Sequence, residues 1–344
     1  MKASLHIRLV LLALAACATA AAAQNVKITS LGSHTGELCS RDRAMIFEDP
    51  TGVRILYDAG QSVTGAEDPR LGTVHAVLLS HAHGDHVGDL KLKAQDAGAC
   101  DNPDLISAAP NSTTAEIAAA KNAAVMMSIP MANFIAKKID TIKAKPTANC
   151  PQTGDDLVAP FAAPCIASAH IGGMRTIKMA NAAKSVEVTI VTAAHESSVP
   201  RSLLTDPEKK NLEADNVSVT LGPSTGYVIR FTNGLTVYLS GDTGLHAEMK
   251  SVVADFYKAN LMVLNLGPNA VTSAAGAHVA NVLVQPASVI ATHVNEGATT
   301  GGKVRPASRT AAFMSQVKGR PVYPALSGKT MEFDGDAKCI AGCS

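Results

Sequence analysis

VHAVLLSHAHGDHVGDL, residues 74–90, is the stretch that decides the fold. Val74–Ser80 is a near-continuous apolar run, the pattern of a short strand buried on both faces. Three imidazoles and a carboxylate follow at once, in His81-Ala82-His83-Gly84-Asp85-His86. Two positions apart at a strand end, His81 and His83 can point to the same side. Gly84 lets the chain turn, and Asp85 and His86 then enter from the start of a helix expected over Val87–Ala94. Neutral imidazole and carboxylate are the ligands that zinc and similar borderline metals take. A merely solvated turn has no use for so many of them.

Working outward, polar residues recur at strand ends. His195 ends VEVTIVTAAH, Asp242 follows LTVYLS in Ser240-Gly241-Asp242-Thr243-Gly244, and His293 ends SVIATH. Open α/β sheets carry their sites beyond strand ends. A single histidine at such a place is ordinarily structural, but three candidates beside the six-residue cluster point to completion of two metal shells. His278, on an expected helix over Ala274–Val284, competes with His293 as the last ligand. His34, in the loop after the first strand, is a candidate substrate contact or a plain turn residue. His246 is a candidate neighbour of the ligands, and His75 and His170 read as structural.

The rest of the chain alternates strands and helices, which defines an α/β protein with two sheets. Strands are expected at Val26–Leu31, Ala44–Glu48, Val53–Tyr57, Val186–Ala193, Val217–Thr220, Gly226–Phe231, Thr236–Leu239, Leu261–Leu264 and Ser288–Thr292. Further helices are expected over Leu245–Tyr257 and Pro306–Val317. Ser112–Lys145 reads as an Ala-rich helical stretch broken at Pro130, and Pro146–Cys165 as a loop.

Composition narrows the function. The chain has 344 residues, 47% of them hydrophobic, enough to bury a core. Thirty basic against 29 acidic residues leave a net charge of +1, and aromatics are 3% with no tryptophan. Neither a basic face nor a stacking platform for nucleic acid is encoded. There is no phosphate-cradling glycine loop, so the expected partner is a small-molecule substrate. Lys137, Lys138, Lys143 and Lys145 read as a solvated helix face, with attraction of an anionic substrate as the other reading.

Residues 1–23 have the pattern of an export signal: Lys2 and Arg8, an apolar run Leu9–Ala16, and small-residue cleavage sites before Gln24. The run is too short to span a bilayer, and no later stretch qualifies. Leu14-Ala15-Ala16-Cys17 also fits a lipoprotein box, which would anchor the chain through Cys17. Either way the expected location is the periplasm or the exterior. An even set of six further cysteines suits an oxidising compartment. Cys150 and Cys165 flank a Pro/Gly/Asp loop and are the leading pair, with Cys39–Cys100 and Cys339–Cys343 completing one set among the 15 that six cysteines allow.

H-x-H-x-D-H after a buried strand, then a strand-end His, an Asp in a GDT turn and a final strand-end His resembles the metallo-β-lactamase superfamily. The resemblance covers Val26–Phe333 and includes Tyr57-Asp58-Ala59-Gly60, which looks like that family's D-x-G turn. The GDTG and A-x-x-I-A-T-H segments look most like the lactonase-type hydrolases named for ascorbate-6-phosphate lactonase. It implies a four-layer αβ/βα sandwich over residues 24–344, with a helical insertion at about 100–170 that departs from the compact pattern and shapes the substrate pocket. It also implies two divalent ions, zinc by default with manganese or iron fitting the same donors. His81, His83 and His195 would hold the first, Asp85, His86 and His293 the second, and Asp242 would bridge them. The implied activity is hydrolysis of a lactone, ester, thioester or phosphodiester by metal-activated water, with Asp85 as catalytic residue. The alternatives are a β-lactamase and a non-catalytic metal-binding periplasmic protein; a carboxylate at Asp242 weighs against the first.

Overall fold

The computed structural model describes residues 25–343. The expected export signal, Cys17 and the cleavage point before Gln24 lie outside the described residues. Two sheets face each other. The first has the spatial order Cys165–Ile166, Ala124–Val125, Ala76–Leu78, Arg54–Tyr57, Ala44–Glu48, Val26–Leu31, Thr330–Phe333 and Cys339–Ala341. The second runs Gln152–Thr153, Asp156–Ala159, Met174–Met179, Val186–Thr192, Thr225–Arg230, Thr236–Leu239, Leu261–Asn265, Ser288–Thr292 and Val322–Pro324. In each, strands that pair parallel lie beside strands that pair antiparallel.

The period of two along each strand sorts side chains between layers. Met45, Phe47, Ile55, Tyr57, Ala76 and Leu78 belong to the core between the sheets, where the Tyr57 and Tyr227 rings meet edge to face at 6.2 Å. Ile46, Leu56, Val77 and Leu79 turn the other way, into a second apolar cluster. Helix α1 is a single turn, Gly84–Val87; α2 (Thr113–Lys121) and α3 (Ile129–Lys143) fill that second cluster with Ile117, Met131, Ile135 and Ile139. A surface helix, α4 (Asp206–Asp215), buries none of its residues. On the second sheet, α5 (Ser273–His278) and α6 (Arg309–Gln316) pack together with π-helical turns at Met249–Ala254 and Val279–Leu283. Gly276 of α5 lies directly against Leu264 and Leu266. Helix, sheet, sheet, helix is the four-layer sandwich. Among the described residues no helix is long and apolar enough to cross a membrane.

Several expected elements come out differently. The helix expected over Val87–Ala94 stops after one turn because Gly88 takes a left-handed conformation (φ +78°) and its amide returns to the Gly84 carbonyl. Leu90–Leu92 then forms a strand paired with Leu105–Ser107. The Ser112–Lys145 helix breaks at left-handed Asn122, not at Pro130, which sits in the first turn of α3 where its missing N–H costs nothing. Between the two helices Ala124–Val125 joins the first sheet. The loop expected over Pro146–Cys165 contains two strands of the second sheet. Val217–Thr220 is no strand; only a Ser198–Thr220 bridge forms there. The helix expected over Leu245–Tyr257 shrinks to the turn Met249–Ala254.

The 100–170 stretch is woven into the sandwich: it supplies α2, α3 and edge strands to both sheets. The described disulfides are Cys39–Cys100, Cys150–Cys165 and Cys339–Cys343. The first ties the loop after Val26–Leu31 to the start of that stretch.

Candidate metal centre

The strand Ala76–Leu78 delivers Ser80 and His81 to the sheet end, and α1 presents Asp85 and His86 one turn later. Val186–Thr192 leads to His195, Thr236–Leu239 to Asp242 and Ser288–Thr292 to His293. Seven side chains from four sequence regions thus meet at one edge of the sandwich. Their donor atoms fall into three overlapping groups, His81/His83/His195, His81/His86/Asp242 and Asp85/His86/His293, each within 4.8 Å.

Asp242 sits between the outer two. Its Oδ1 lies 3.2 Å from His293 Nε2 and 3.6 Å from His86 Nε2, and its Oδ2 lies 3.9 Å from His195 Nε2. Asn265 Nδ2 donates to Oδ1 at 3.0 Å and fixes the carboxylate. One oxygen for each side is the arrangement a bridging ligand needs.

The donor set fits divalent ions. His81 Nε2 and His83 Nδ1 approach to 2.9 Å, and His86 Nε2 and His293 Nε2 to 3.0 Å. Nitrogens bound to one ion at 2.0–2.1 Å, subtending 90–110°, stand about 2.9–3.4 Å apart. His86 Nδ1 donates to Asp58 Oδ2 at 2.8 Å, so one ring proton is committed there and Nε2 is the nitrogen that faces inward. Asp58 is wholly buried and also accepts from the Ser80 amide and hydroxyl, at 2.8 and 2.7 Å.

Charge follows from this packing. Burial, abetted by His86, drives the His81 imidazole well below its ordinary value, toward the neutral ligand form. Burial opposes charge on His86 too, but the carboxylates of Asp242, Asp58 and Asp85 outweigh it and push His86 up to about 10. Asp242 stays ionised despite burial, held low chiefly by His293 and His86. Burial and Arg43 lower His293. A cage of carboxylates that retains a proton on its central imidazole is one that a metal cation can claim instead.

Sequence reasoning did not find the supports around these ligands. Arg43, buried, donates through Nη2 to Asp85 Oδ2 at 2.5 Å and to Asn295 Oδ1 at 2.8 Å. Burial would raise Asp85, yet the guanidinium together with His86 and His293 holds its carboxyl well below the usual range. His293 and Asn295 both have left-handed backbones (φ +50° and +51°), and Arg309 Nη2 donates to the carbonyls of Val294 and Asn295, holding that turn. Glu196 accepts from His83 Nε2. Only Asp58 carried a signal, as part of the D-A-G turn; lone arginines far apart in sequence carry none. Gly60 of that turn (φ +52°) runs so close to Asp85 that a Cβ would stand 2.2 Å from its carbonyl oxygen.

The other histidines are placed as follows. His34 is half-buried, its ring nitrogens facing Ser33 Oγ at 3.0 Å and the Gly98 carbonyl at 3.2 Å; it is in none of the three ligand groups. His278 is exposed at the end of α5 and outside those groups, as is His170. His75 accepts from the Arg54 amide at 3.0 Å. His246 is half-buried with both ring nitrogens lacking a partner.

A four-layer sandwich with an H-x-H-x-D-H ligand cluster at one sheet edge defines the class, and the comparisons agree with it. The model of the Metallo-beta-lactamase superfamily matches residues 44–99. The matched residues include His81, His83, Asp85 and His86, so the likeness to that superfamily takes in the six-residue cluster. A UPF0173 metal-dependent hydrolase of Polynucleobacter asymbioticus is 30% identical over 151 residues, 43% of this chain and 48% of that protein. One of Methanosphaera stadtmanae is 27% identical over 219 residues, 64% and 65% of the two chains. The chain thus matches about half to two thirds of these relatives' own lengths. Among solved structures, the metallo hydrolase Igni18 of Ignicoccus hospitalis superposes with a TM-score of 0.54 at 21% identity, over 90% of this chain and 99% of that one. That likeness bears on the fold.

Proposed function

We propose that this chain is an exported hydrolase that uses two divalent metal ions, zinc by default, to cleave a lactone, ester, thioester or phosphodiester. The observation that carries the reading is the convergence of His81, His83, His195, Asp85, His86 and His293 around Asp242, with one Asp242 oxygen directed to each side. The relatives named as metal-dependent hydrolases support it. When bound, the ions would supply Lewis acidity and a water acidic enough to attack near neutral pH.

The chain's own residues do the rest. His81, His83 and His195 would hold one ion and Asp85, His86 and His293 the other. Asp58 holds the His86 ring by its Nδ1 proton, and Asn265 holds Asp242. Asp85, kept ionised by Arg43, would orient the attacking water and take up its proton for the leaving group. A carboxylate at Asp242 and the GDTG turn favour the lactonase-type branch over a β-lactamase.

Turnover on a small panel tests the reading: a lactone, a thioester, bis-(p-nitrophenyl) phosphate and a chromogenic β-lactam. Hydrolysis of one of the first three supports it. Metal-loaded protein inert on all four would favour a binding protein, and preference for the β-lactam would promote the runner-up. Export is tested separately by sequencing the N-terminus of the mature protein, expected to begin at Gln24 or, if lipidated, at Cys17.

A further inference from the structure

The two halves of the centre differ in what lies immediately outside them. Beside the His81/His83/His195 half stands a carboxylate: Glu196 contacts His83 Nε2 with its side chain 59% exposed. Beside the Asp85/His86/His293 half stands a guanidinium: the Arg43 side chain is 2% exposed and its Nη2 lies 2.5 Å from Asp85 Oδ2. That same Oδ2 is the donor atom of the second half, 3.5 Å from His293 Nε2 and 3.9 Å from His86 Nε2. One carboxylate oxygen is therefore shared between a permanent buried cation and the position of a metal ion.

Three features show that Arg43 is fixed there. It also donates to Asn295 Oδ1 at 2.8 Å and to the Ser40 carbonyl at 3.3 Å. Its own amide donates to Ser62 Oγ at 2.9 Å, in the segment that follows the Gly60 turn. The neighbouring Cys39 is disulfide-bonded to Cys100. An arginine so held cannot swing away when a second cation arrives, and it cannot deprotonate. Low local dielectric makes like charges at this range repel strongly, while the exposed Glu196 acts more weakly through solvent.

We propose that Arg43 is a positioning residue that makes the two metal sites unequal. It presents Asp85 toward His86 and His293, and by drawing charge from that carboxylate it leaves the second site weaker and more exchangeable than the first. The inference rests on the metal-centre reading above and adds the order of filling and its cause.

Stepwise zinc affinities of the metal-stripped protein, measured by competition with a chromophoric chelator, test it. The wild type should bind its first zinc at least 100-fold more tightly than its second. Arg43→Gln, which is neutral but can still donate to Asp85, should tighten the second step at least tenfold and leave the first within threefold. Arg43→Lys should keep the wild-type gap. Equal steps in the wild type, or a folded Arg43→Gln protein whose second step is unchanged or weaker, would overturn the inference. Should Arg43→Gln fail to fold, Glu196→Gln decides: a first step weakened at least threefold with the second unmoved supports it, and any other pattern counts against it. No zinc bound at all would remove the proposed function and this inference together, an outcome distinct from two equal steps.

Discussion

Asp58 is invisible to any search for metal ligands, yet it orients one of the candidates, His86. It touches no candidate ion position; it holds the His86 Nδ1 proton and so determines which ring nitrogen faces the centre. Replacing such an outer partner typically costs a metal site about 10–100-fold in affinity. Asp58→Asn should therefore weaken zinc binding within that range, with the larger loss in the site that contains His86; chelator competition reads it. Asp85→Asn should behave differently. The amide keeps one oxygen for a ligand but cannot accept a proton, so the variant should retain part of its metal and lose most turnover. Unchanged turnover in that variant would end the proposed role. Titration gives a third expectation. His86 lies up at about 10, against the combined pull of burial, so over roughly pH 6.5 to 10 the metal-free fold keeps a proton that an unfolded chain would release. This imidazolium stabilises the metal-free protein fully below the lower value, and its contribution is lost as pH rises through the upper one. Metal must displace that proton. Zinc binding at pH 8, followed by calorimetry in buffers of different ionisation enthalpy, should release about one proton from this site; none would contradict the His86 assignment.

At the scale of elements, the candidate ligands were legible because they lie just past strands whose apolar pattern is unambiguous, and those strands form. Val26–Leu31 and Ala44–Glu48 match their expected bounds. What escaped has physical reasons. Helix α4 reads DPEKKNLEAD, with no apolar stripe, because none of its residues is buried; its signals were local, Pro207 near its start and the Thr205/Glu208 capping box. The helix expected after His86 failed because one left-handed glycine outweighed the apolar spacing beyond it. Val217–Thr220 alternates like a strand but lacks a partner for more than one bridge. Short edge strands such as Cys165–Ile166 owe their existence to tertiary pairing, which periodicity cannot show. Arg43, Asn295 and Arg309 were hidden for the same reason: they meet only in the fold. The turn over Asp58–Gly60 allows a matched test. Gly36 and Gly60 are both left-handed, but a Cβ meets nothing within 4 Å at Gly36 and the Asp85 carbonyl oxygen at 2.2 Å at Gly60. Gly36→Ala should cost about 1–2 kcal/mol, the left-handed penalty alone. Gly60→Ala should cost clearly more in thermal unfolding and should also lower metal content; equal losses would mean that the close approach to Asp85 is unimportant.

For the whole molecule, two sheets with helices on both outer faces bring four distant parts of the chain to a single edge. The buried apolar residues pack in that sandwich, while the site carries buried carboxylates, a buried arginine and left-handed residues at 58, 293 and 295. Such groups are costly without a partner charge, which the two ions of the proposed centre would supply. Metal content of the purified protein, compared with His86→Ala, tests this most directly. Two ions per chain are expected in the wild type and at most one in the variant. One ion or none, the same in both proteins, would contradict it.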